Sequence, residues 1–274
     1  MTDEEARYDR IAEGYAQWWS PVHRPATLAL LDEIEPAVAA GATRILDVGC
    51  GTGALAAAAV RRWPGVRVTG VDASGGMLAV AARELGALDD MARDRVTLVK
   101  AGADRLPSRD REFDTVLTGF VLQLVPSRYR SLREARRVLG RDGRLAHATW
   151  LAGGSFPADD AYADALIAAG LEPREGGGAH DEPRSPAAAA AQLRRAGFSS
   201  VTARPGEVDH RFTPEGFLAF LACFDDEELF ATLEPAAREA LEADLLERLR
   251  ALPAEGLRMR LPIAVVTGRR TARP

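Results

Sequence analysis

Between Arg44 and Trp150, short β-branched and apolar runs alternate with stretches whose apolar positions recur at helical spacing. This is the pattern of successive strand-helix-strand units and a parallel sheet. It predicts strands near Arg44–Val48, Val66–Val71, Val96–Lys100, Phe113–Thr118 and Gly143–Trp150, and helices near Thr52–Arg62, Ser74–Leu85 and Ser127–Leu139. A Gly140-Arg141-Asp142-Gly143 turn is expected between the last of these helices and its strand. Upstream, Glu4–Trp19 and Pro25–Ala39 read as two helices broken at Ser20-Pro21, where proline disfavours continuation. Downstream, Glu172–Pro186 is rich in glycine, proline and charge without periodicity and reads as a mobile surface loop. A helix to Gly197, a strand near Ser199–Phe212, a helical block from Pro214 to Leu252 and a last strand near Ile263–Arg269 follow.

The helical block carries Phe217, Phe220, Leu221 and Phe224 at the spacing of one helix face and reads as an insertion. The predicted organisation is therefore covering helices over 1–43, an α/β core over 44–212 and 257–274, and a helical lid over 213–256. Pro262 cannot donate to a ladder and is expected at the first residue of the last strand or outside it.

Composition narrows the class. The 274 residues are 47% hydrophobic and 27% charged, which excludes a disordered or membrane-spanning chain. A net charge of −5 lacks the basic footprint of phosphate-backbone binding, so nucleic acid is disfavoured as a partner. The arginines from Arg128 to Arg144 read as a solvated helix face beside a turn. Two distant cysteines, Cys50 and Cys223, with no metal-ligand spacing, indicate neither a disulfide framework nor a zinc site. The reducing cytoplasm is the expected compartment.

The segment richest in chemistry is Ile45-Leu46-Asp47-Val48-Gly49-Cys50-Gly51-Thr52-Gly53-Ala54, an apolar strand with an acid near its end, a glycine-rich turn, then a helix. Glycines let the backbone approach a ligand, and the helix start presents unpaired N–H groups. Gly49, Gly51 and Ala54 also satisfy the dinucleotide fingerprint, so a nicotinamide-dependent dehydrogenase is a rival reading. Asp72, 19 residues beyond Gly53, suits the hydroxyls of a ribose in either case. Asp47 discriminates: a carboxylate there repels a pyrophosphate and holds an ammonium.

This sequence resembles the class I S-adenosylmethionine-dependent methyltransferases, particularly the small-molecule group that includes ubiquinone and menaquinone C-methyltransferases. The resemblance rests on Asp47–Gly53, on Val71-Asp72-Ala73-Ser74 with Met77-Leu78, on Arg105-Leu106-Pro107, on Phe113-Asp114-Thr115-Val116 and on Leu139–Leu145. It implies a Rossmann-like seven-stranded sheet with the last strand antiparallel and inserted, and S-adenosyl-L-methionine as cofactor. It places Asp47, Gly49, Gly51 and Gly53 at the methionine end, Asp72 on the ribose and Ala73 and Met77 beside the adenine. Thr118 is expected within cofactor reach. Gly102 stands where the family often has an acid, so Asp104 or the Ala103 backbone is expected on the adenine amino group. The Tyr8–Tyr15 run resembles the family's covering helix, with Tyr15 nearest the cofactor.

For the acceptor, Trp19, His23, Gln123, Trp150, Phe217 and Phe220 are the candidate residues, although the aromatics equally fit a core. His147 reads as a satisfied core histidine and His180 as solvated. Thr118-Gly119-Phe120-Val121 lacks the Asn/Asp-Pro-Pro-Tyr of base- and amide-methylating relatives, which argues against those acceptors. The expected reaction is methyl transfer to O, N or C of a small molecule, without a metal. A cofactor-binding protein without catalysis is the alternative from another class.

Overall fold

A computed structural model describes residues 3–154, 156–173 and 182–271. Most of the Gly/Pro-rich stretch, with His180, lies outside the described residues. In chain order the elements are α1 (Asp3–Gly14), a π-helical turn (Tyr15–Trp19), α2 (Ser20–Leu28), α3 (Leu30–Ala39), β1 (Arg44–Val48), α4 (Ala54–Arg62), β2 (Arg67–Asp72), α5 (Gly75–Gly86) and α6 (Asp90–Arg93). They continue with β3 (Val96–Lys100), β4 (Phe113–Gly119), α7 (Arg128–Val138), β5 (Leu139–Trp150), α8 (Pro157–Ala168), α9 (Pro186–Arg195) and β6 (Ser199–Arg211). The chain then forms α10 (Pro214–Phe220), a second π-helical turn (Leu221–Asp225), α11 (Glu227–Thr232), α12 (Pro235–Ala251) and β7 (Arg258–Arg269).

The seven strands form one sheet in the order β3-β2-β1-β4-β5-β7-β6. The first five are parallel, and β7 runs antiparallel between β5 and β6. Both faces are buried, as crossover helices require. Ile45, Val68 and Leu117 pack to one side with Leu30, Ile34 and Leu55. Their neighbours Leu46, Val71 and Val116 pack to the other with Leu132, Val138 and Leu193.

Three local expectations are corrected. The N-terminal helix does not break at Ser20-Pro21: the π-helical turn runs directly into α2, its last N–H, that of Ser20, donating to the Tyr15 carbonyl, Pro21 follows it, and the helical run ends only at Ala29. The Gly140–Gly143 segment is not a separating turn but an irregular start of β5, with Leu139 paired to Phe113, Asp142 in the left-handed region at φ 60° and the Asp142 N–H donating to the Arg270 carbonyl at 2.8 Å. Pro262 lies well inside β7, opposite Glu207 of β6. Its carbonyl accepts from Leu151 N–H at 2.9 Å, so its missing donor also faces β5, one residue past the last pair, Trp150 and Ile263. Leu151 and Pro262 thus face each other as a hydrogen-bonded pair that lacks its second bond, and the regular β5–β7 pairing stops at Trp150.

Candidate functional site

A cleft opens at the carboxyl end of β1. Tyr15, Ser20, His23, Arg24 and Thr27 wall it from the N-terminal helices, Asp47, Gly49, Cys50, Gly51, Thr52, Ala54 and Leu55 from the β1-to-α4 turn, and Gly119 from the end of β4.

The turn is a chain of left-handed glycines, with φ of 67° at Gly49, 50° at Gly51 and 80° at Gly53. Two of them serve different ends. A Cβ on Gly49 would stand 2.3 Å from the Val121 side chain, so that glycine permits close packing of the β4 exit loop. A Cβ on Gly51 would meet no atom within 4 Å, so that glycine faces open space in the cleft. Asp72 pins the turn: its carboxylate accepts from Gly51 N–H at 2.8 Å and from Ser74 N–H at 2.9 Å.

Asp47 is buried, and its Oδ2 has no hydrogen-bond partner. Burial first, and then repulsion from Asp72, pushes its carboxyl up to about 7. Asp72 is also raised by burial, against the opposing pull of the Ser74, Gly51 and Ala73 N–H groups. Two acids at adjacent strand ends thus make the floor of the cleft a place for a cation.

Helix α1 closes the β2 end. The Asp9 carboxylate accepts from Ser74 Oγ–H at 2.6 Å and Gly76 N–H at 2.9 Å, which holds it below the ordinary carboxylate range. Met77 lies buried beneath this contact with Ala12 and Val80, packed by Tyr8 and Tyr15. On the cleft wall, Tyr15 O–H donates to His23 Nε2 at 2.8 Å. The Thr27 hydroxyl donates to the His23 carbonyl at 3.1 Å, so the 3.0 Å contact between His23 Nδ1 and Thr27 Oγ1 assigns the ring proton to Nδ1. Burial pushes His23 down to about 4 and Tyr15 well above its ordinary value, leaving both neutral.

Next to His23 lies a group of rings from four segments. Trp19 packs on Trp150, Phe220 and Phe224 with centroids 5.3–5.8 Å apart, and Phe120 lies 4.3 Å from Trp150 and 5.3 Å from His23. Phe120 sits at φ 58°, a conformation that strains a bulky residue. Its N–H bond to the Ala148 carbonyl, 2.9 Å, and the Gln123 Nε2 bond to its own carbonyl, 2.5 Å, hold it there.

The structure brings together Tyr15, His23, Asp47, Gly49 and Gly51, with Gly53 and Asp72 at the same turn and Ala73 beside Asp72. Several expected site residues lie elsewhere. Thr118 does not line the cleft: it shares the face of Val116, pairs in register with His147, and leaves Gly119 at the wall. Gln123 lines a different groove, with Ser127, Tyr129, Gln192 and Arg195, on the α7 and α9 side. Phe217 is fully buried against Phe156 and Phe212 and belongs to the core, whereas Phe220 reaches Trp19. Asp104 lies 3.9 Å from Arg130, and Ala103 packs with the α7-side core; neither lines the cleft. His147 is buried, but neither ring nitrogen has a partner, so it is not the satisfied core histidine expected. Ser20, Arg24, Thr27 and Thr52 were missed. For Thr27 the sequence signal is its four-residue spacing from Tyr15 and His23, and Ser20 and Arg24, themselves four residues apart, form the adjoining row.

Residues 46–147 match the model described as a methyltransferase domain. The chain is 37% identical over 186 residues to malonyl-(acyl-carrier protein) O-methyltransferase of Geobacter sulfurreducens, an alignment covering 66% of this chain and 62% of that protein. It is 33% identical over 150 residues to demethylmenaquinone methyltransferase of Thermotoga maritima, covering 50% and 57%. The chain thus spans about three fifths of the length of these relatives. Among solved structures, Haemonchus contortus phosphoethanolamine N-methyltransferase 2, with phosphomonomethylethanolamine and S-adenosylhomocysteine, aligns with a TM-score of 0.59 at 18% identity over 99% of this chain and 61% of that one. The cyclase SpnF aligns at 0.60 and 23% identity over 99% and 97%. At such identities the likeness is one of fold. Around the matched segment lie the π-helical turn and α2, whose Tyr15, Ser20, His23, Arg24 and Thr27 wall the cleft, and α10 with its π-helical extension, whose Phe220 and Phe224 pack on Trp19. Among the described residues no helix is long and apolar enough to cross a membrane, and no group of three or more His, Cys, Asp or Glu could hold a metal ion.

Proposed function

We propose that this chain is an S-adenosylmethionine-dependent methyltransferase acting on a small-molecule acceptor. The observation that carries the reading is the buried, unpartnered Asp47 carboxyl beside the open Gly51, within a methyltransferase domain. An unpartnered buried acid is costly unless a ligand completes it, and an α-ammonium group does so. The same acid opposes a dinucleotide pyrophosphate, which disfavours the dehydrogenase alternative.

In this reading Asp47 and the Gly49 to Gly53 backbone hold the methionine end, and Asp72 takes the ribose while keeping its Gly51 and Ser74 bonds. Ala73 and Met77 flank the adenine. Tyr15 covers the sulfur end from above, and residues 1–43 and 213–256 act as two covers over the core. When bound, the cofactor supplies an electrophilic methyl group on a sulfonium. The protein's task is then alignment and water exclusion. His23 is on the acceptor side of the cleft, and the rings of Trp19, Phe120, Trp150 and Phe220, which pack beside it without lining the described cleft, give that side an apolar backing that suits a small organic acceptor. The relatives' names, one a quinone-type and one a malonyl-thioester methyltransferase, support that class. Cys50 buried and Cys223 free support a cytoplasmic enzyme.

Calorimetry with S-adenosylhomocysteine and with NAD tests the cofactor: binding of the first and not the second is expected, and the reverse would overturn the reading. Mass spectrometry of a panel of phenols, quinols and carboxylic acids incubated with S-adenosylmethionine then reads methyl transfer.

A further inference from the structure

The wall of the cleft holds an ordered chain of hydrogen bonds. Tyr15 O–H donates to His23 Nε2 at 2.8 Å, and His23 Nδ1–H donates to Thr27 Oγ1 at 3.0 Å. The Thr27 hydroxyl is turned to the His23 carbonyl, 3.1 Å away, so the ring keeps its lone pair towards Tyr15. Among the described residues nothing donates to the Tyr15 oxygen itself, and all three side chains line the cleft with Asp47 and Gly51. The other ionisable groups of that wall are unsuited to receiving a proton. Arg24 is already a cation, Cys50 is a thiol that burial holds protonated, and Asp47 is committed to an ammonium. His147 and His210 do not line the cleft. His23 is therefore the base of the cleft among the described residues, and burial keeps it neutral down to about 4.

We propose that Tyr15 and His23 form a proton relay for an acceptor carrying a neutral aromatic hydroxyl, with Tyr15 touching the acceptor and His23 receiving the proton through it. This rests on the methyltransferase reading above and narrows it to O-methylation of a phenol-type acceptor. The acceptor oxygen bonds the methyl carbon, and the carbon–sulfur bond breaks with its electron pair left on sulfur. The acceptor's proton passes to the Tyr15 oxygen as the Tyr15 proton moves to His23 Nε2, so the sulfonium charge is replaced by an imidazolium charge. That proton then leaves to water. A weakly basic imidazole suffices, because a hydroxyl becomes strongly acidic as its oxygen acquires the methyl carbon. A carboxylate acceptor, already ionised, has no proton to give the relay. Trp19 and Phe120, with ring centroids 5.7 and 5.3 Å from that of His23, favour an aromatic acceptor beside it.

Two phenols test the relay in mildly alkaline buffer with S-adenosylmethionine: para-cresol, which keeps its proton there, and para-nitrophenol, which has lost it. The wild type is expected to methylate both, as read by mass spectrometry. His23→Gln keeps an acceptor for the Tyr15 hydroxyl but cannot hold a proton, and should slow para-cresol at least about a hundredfold. Its loss on para-nitrophenol should be at least about tenfold smaller. Calorimetric affinity for S-adenosylhomocysteine and the melting temperature should change little. Tyr15→Phe should show the same split between the two phenols, so either variant alone carries the test. Equal slowing of both phenols, slowing of neither, or a wild type active on para-nitrophenol alone would overturn the relay while the cofactor reading stood. A wild type that binds S-adenosylhomocysteine but methylates neither phenol would overturn the phenol-type acceptor, and one that does not bind it would overturn both readings.

Discussion

At the β1 and β2 end of the sheet's carboxyl edge, Asp47, the glycine turn and Asp72 all belong to one strand-helix-strand unit. At the β4 and β5 end the rings of Trp19, Phe120, Trp150, Phe220 and Phe224 come from four separate segments. The first end works through the backbone: N–H groups, left-handed glycines and two carboxyls at strand ends. The second works through side-chain area brought in by the covers. Backbone chemistry of the first kind is written in consecutive residues. Enclosure of the second kind exists only when distant helices meet, so it should be the more sensitive to loss of core packing.

The largest effect expected is on the aromatic side. Phe217→Ala removes a ring fully buried against Phe156, Phe212 and Phe220 and should cost about 3–5 kcal/mol in denaturant unfolding. A loss below about 1 kcal/mol would show that the lid is not part of one core. Next comes the backbone side. Gly51→Val and Gly49→Val each place a side chain in a left-handed position, at about 1–2 kcal/mol of strain. Only Gly49→Val also drives a Cβ into Val121, so it should unfold more readily. Gly51→Val should instead abolish S-adenosylhomocysteine binding, a loss of at least about 2.7 kcal/mol or a hundredfold, by filling the cleft. Equal behaviour of the two variants would erase the distinction between packing glycine and ligand glycine.

Asp72→Ala sits between these. It frees the Gly51 and Ser74 N–H groups and removes the ribose acceptor, so affinity should fall by about 1–3 kcal/mol in calorimetry. An unchanged dissociation constant in a folded variant would take Asp72 out of the site.

Asp47 makes binding depend on pH. Its carboxyl keeps a proton up to about 7 in the folded protein but only to about 3.9 in the unfolded chain, so stability falls as pH rises between those values and is level above. An ammonium needs the carboxylate, so S-adenosylhomocysteine affinity should rise by up to about tenfold per pH unit below 7 and then flatten. Asp47→Asn should bind weakly without that rise. The smallest change is Tyr15→Phe, which leaves His23 Nε2 without its donor and should lower stability by about 0.5–1.5 kcal/mol in thermal unfolding. No change there would mean the Tyr15 to His23 bond contributes nothing to holding the cover.

Where the sequence misled, the reason is a partner it does not name. Thr118 alternates in a strand buried on both faces, so hydrophobicity could not say that it points towards α7 rather than the cleft. Gln123 follows the same strand, yet the strained turn at Phe120 carries it to the other groove. Pro262 was judged by its missing donor, but the loss is a single bond to Leu151 at the end of the β5–β7 ladder, and β7 runs on through it by pairing with β6. Pro21 was judged as a breaker, but the helix carries it directly after a π-helical turn.

The sequence by itself determined the alternating strands and helices and the glycine turn with its two acids, because these depend on neighbouring residues and on periods of two and 3.6, whereas the insertion of the last strand was implied by the family resemblance alone. Only the tertiary structure decided that Asp47 has no partner, that Gly49 packs while Gly51 stands open, that Phe217 is core while Phe220 meets Trp19, and that Arg24 faces the same cleft as Asp47. Each of those depends on which atom of a distant segment arrives within a few ångströms, and no local pattern encodes that distance.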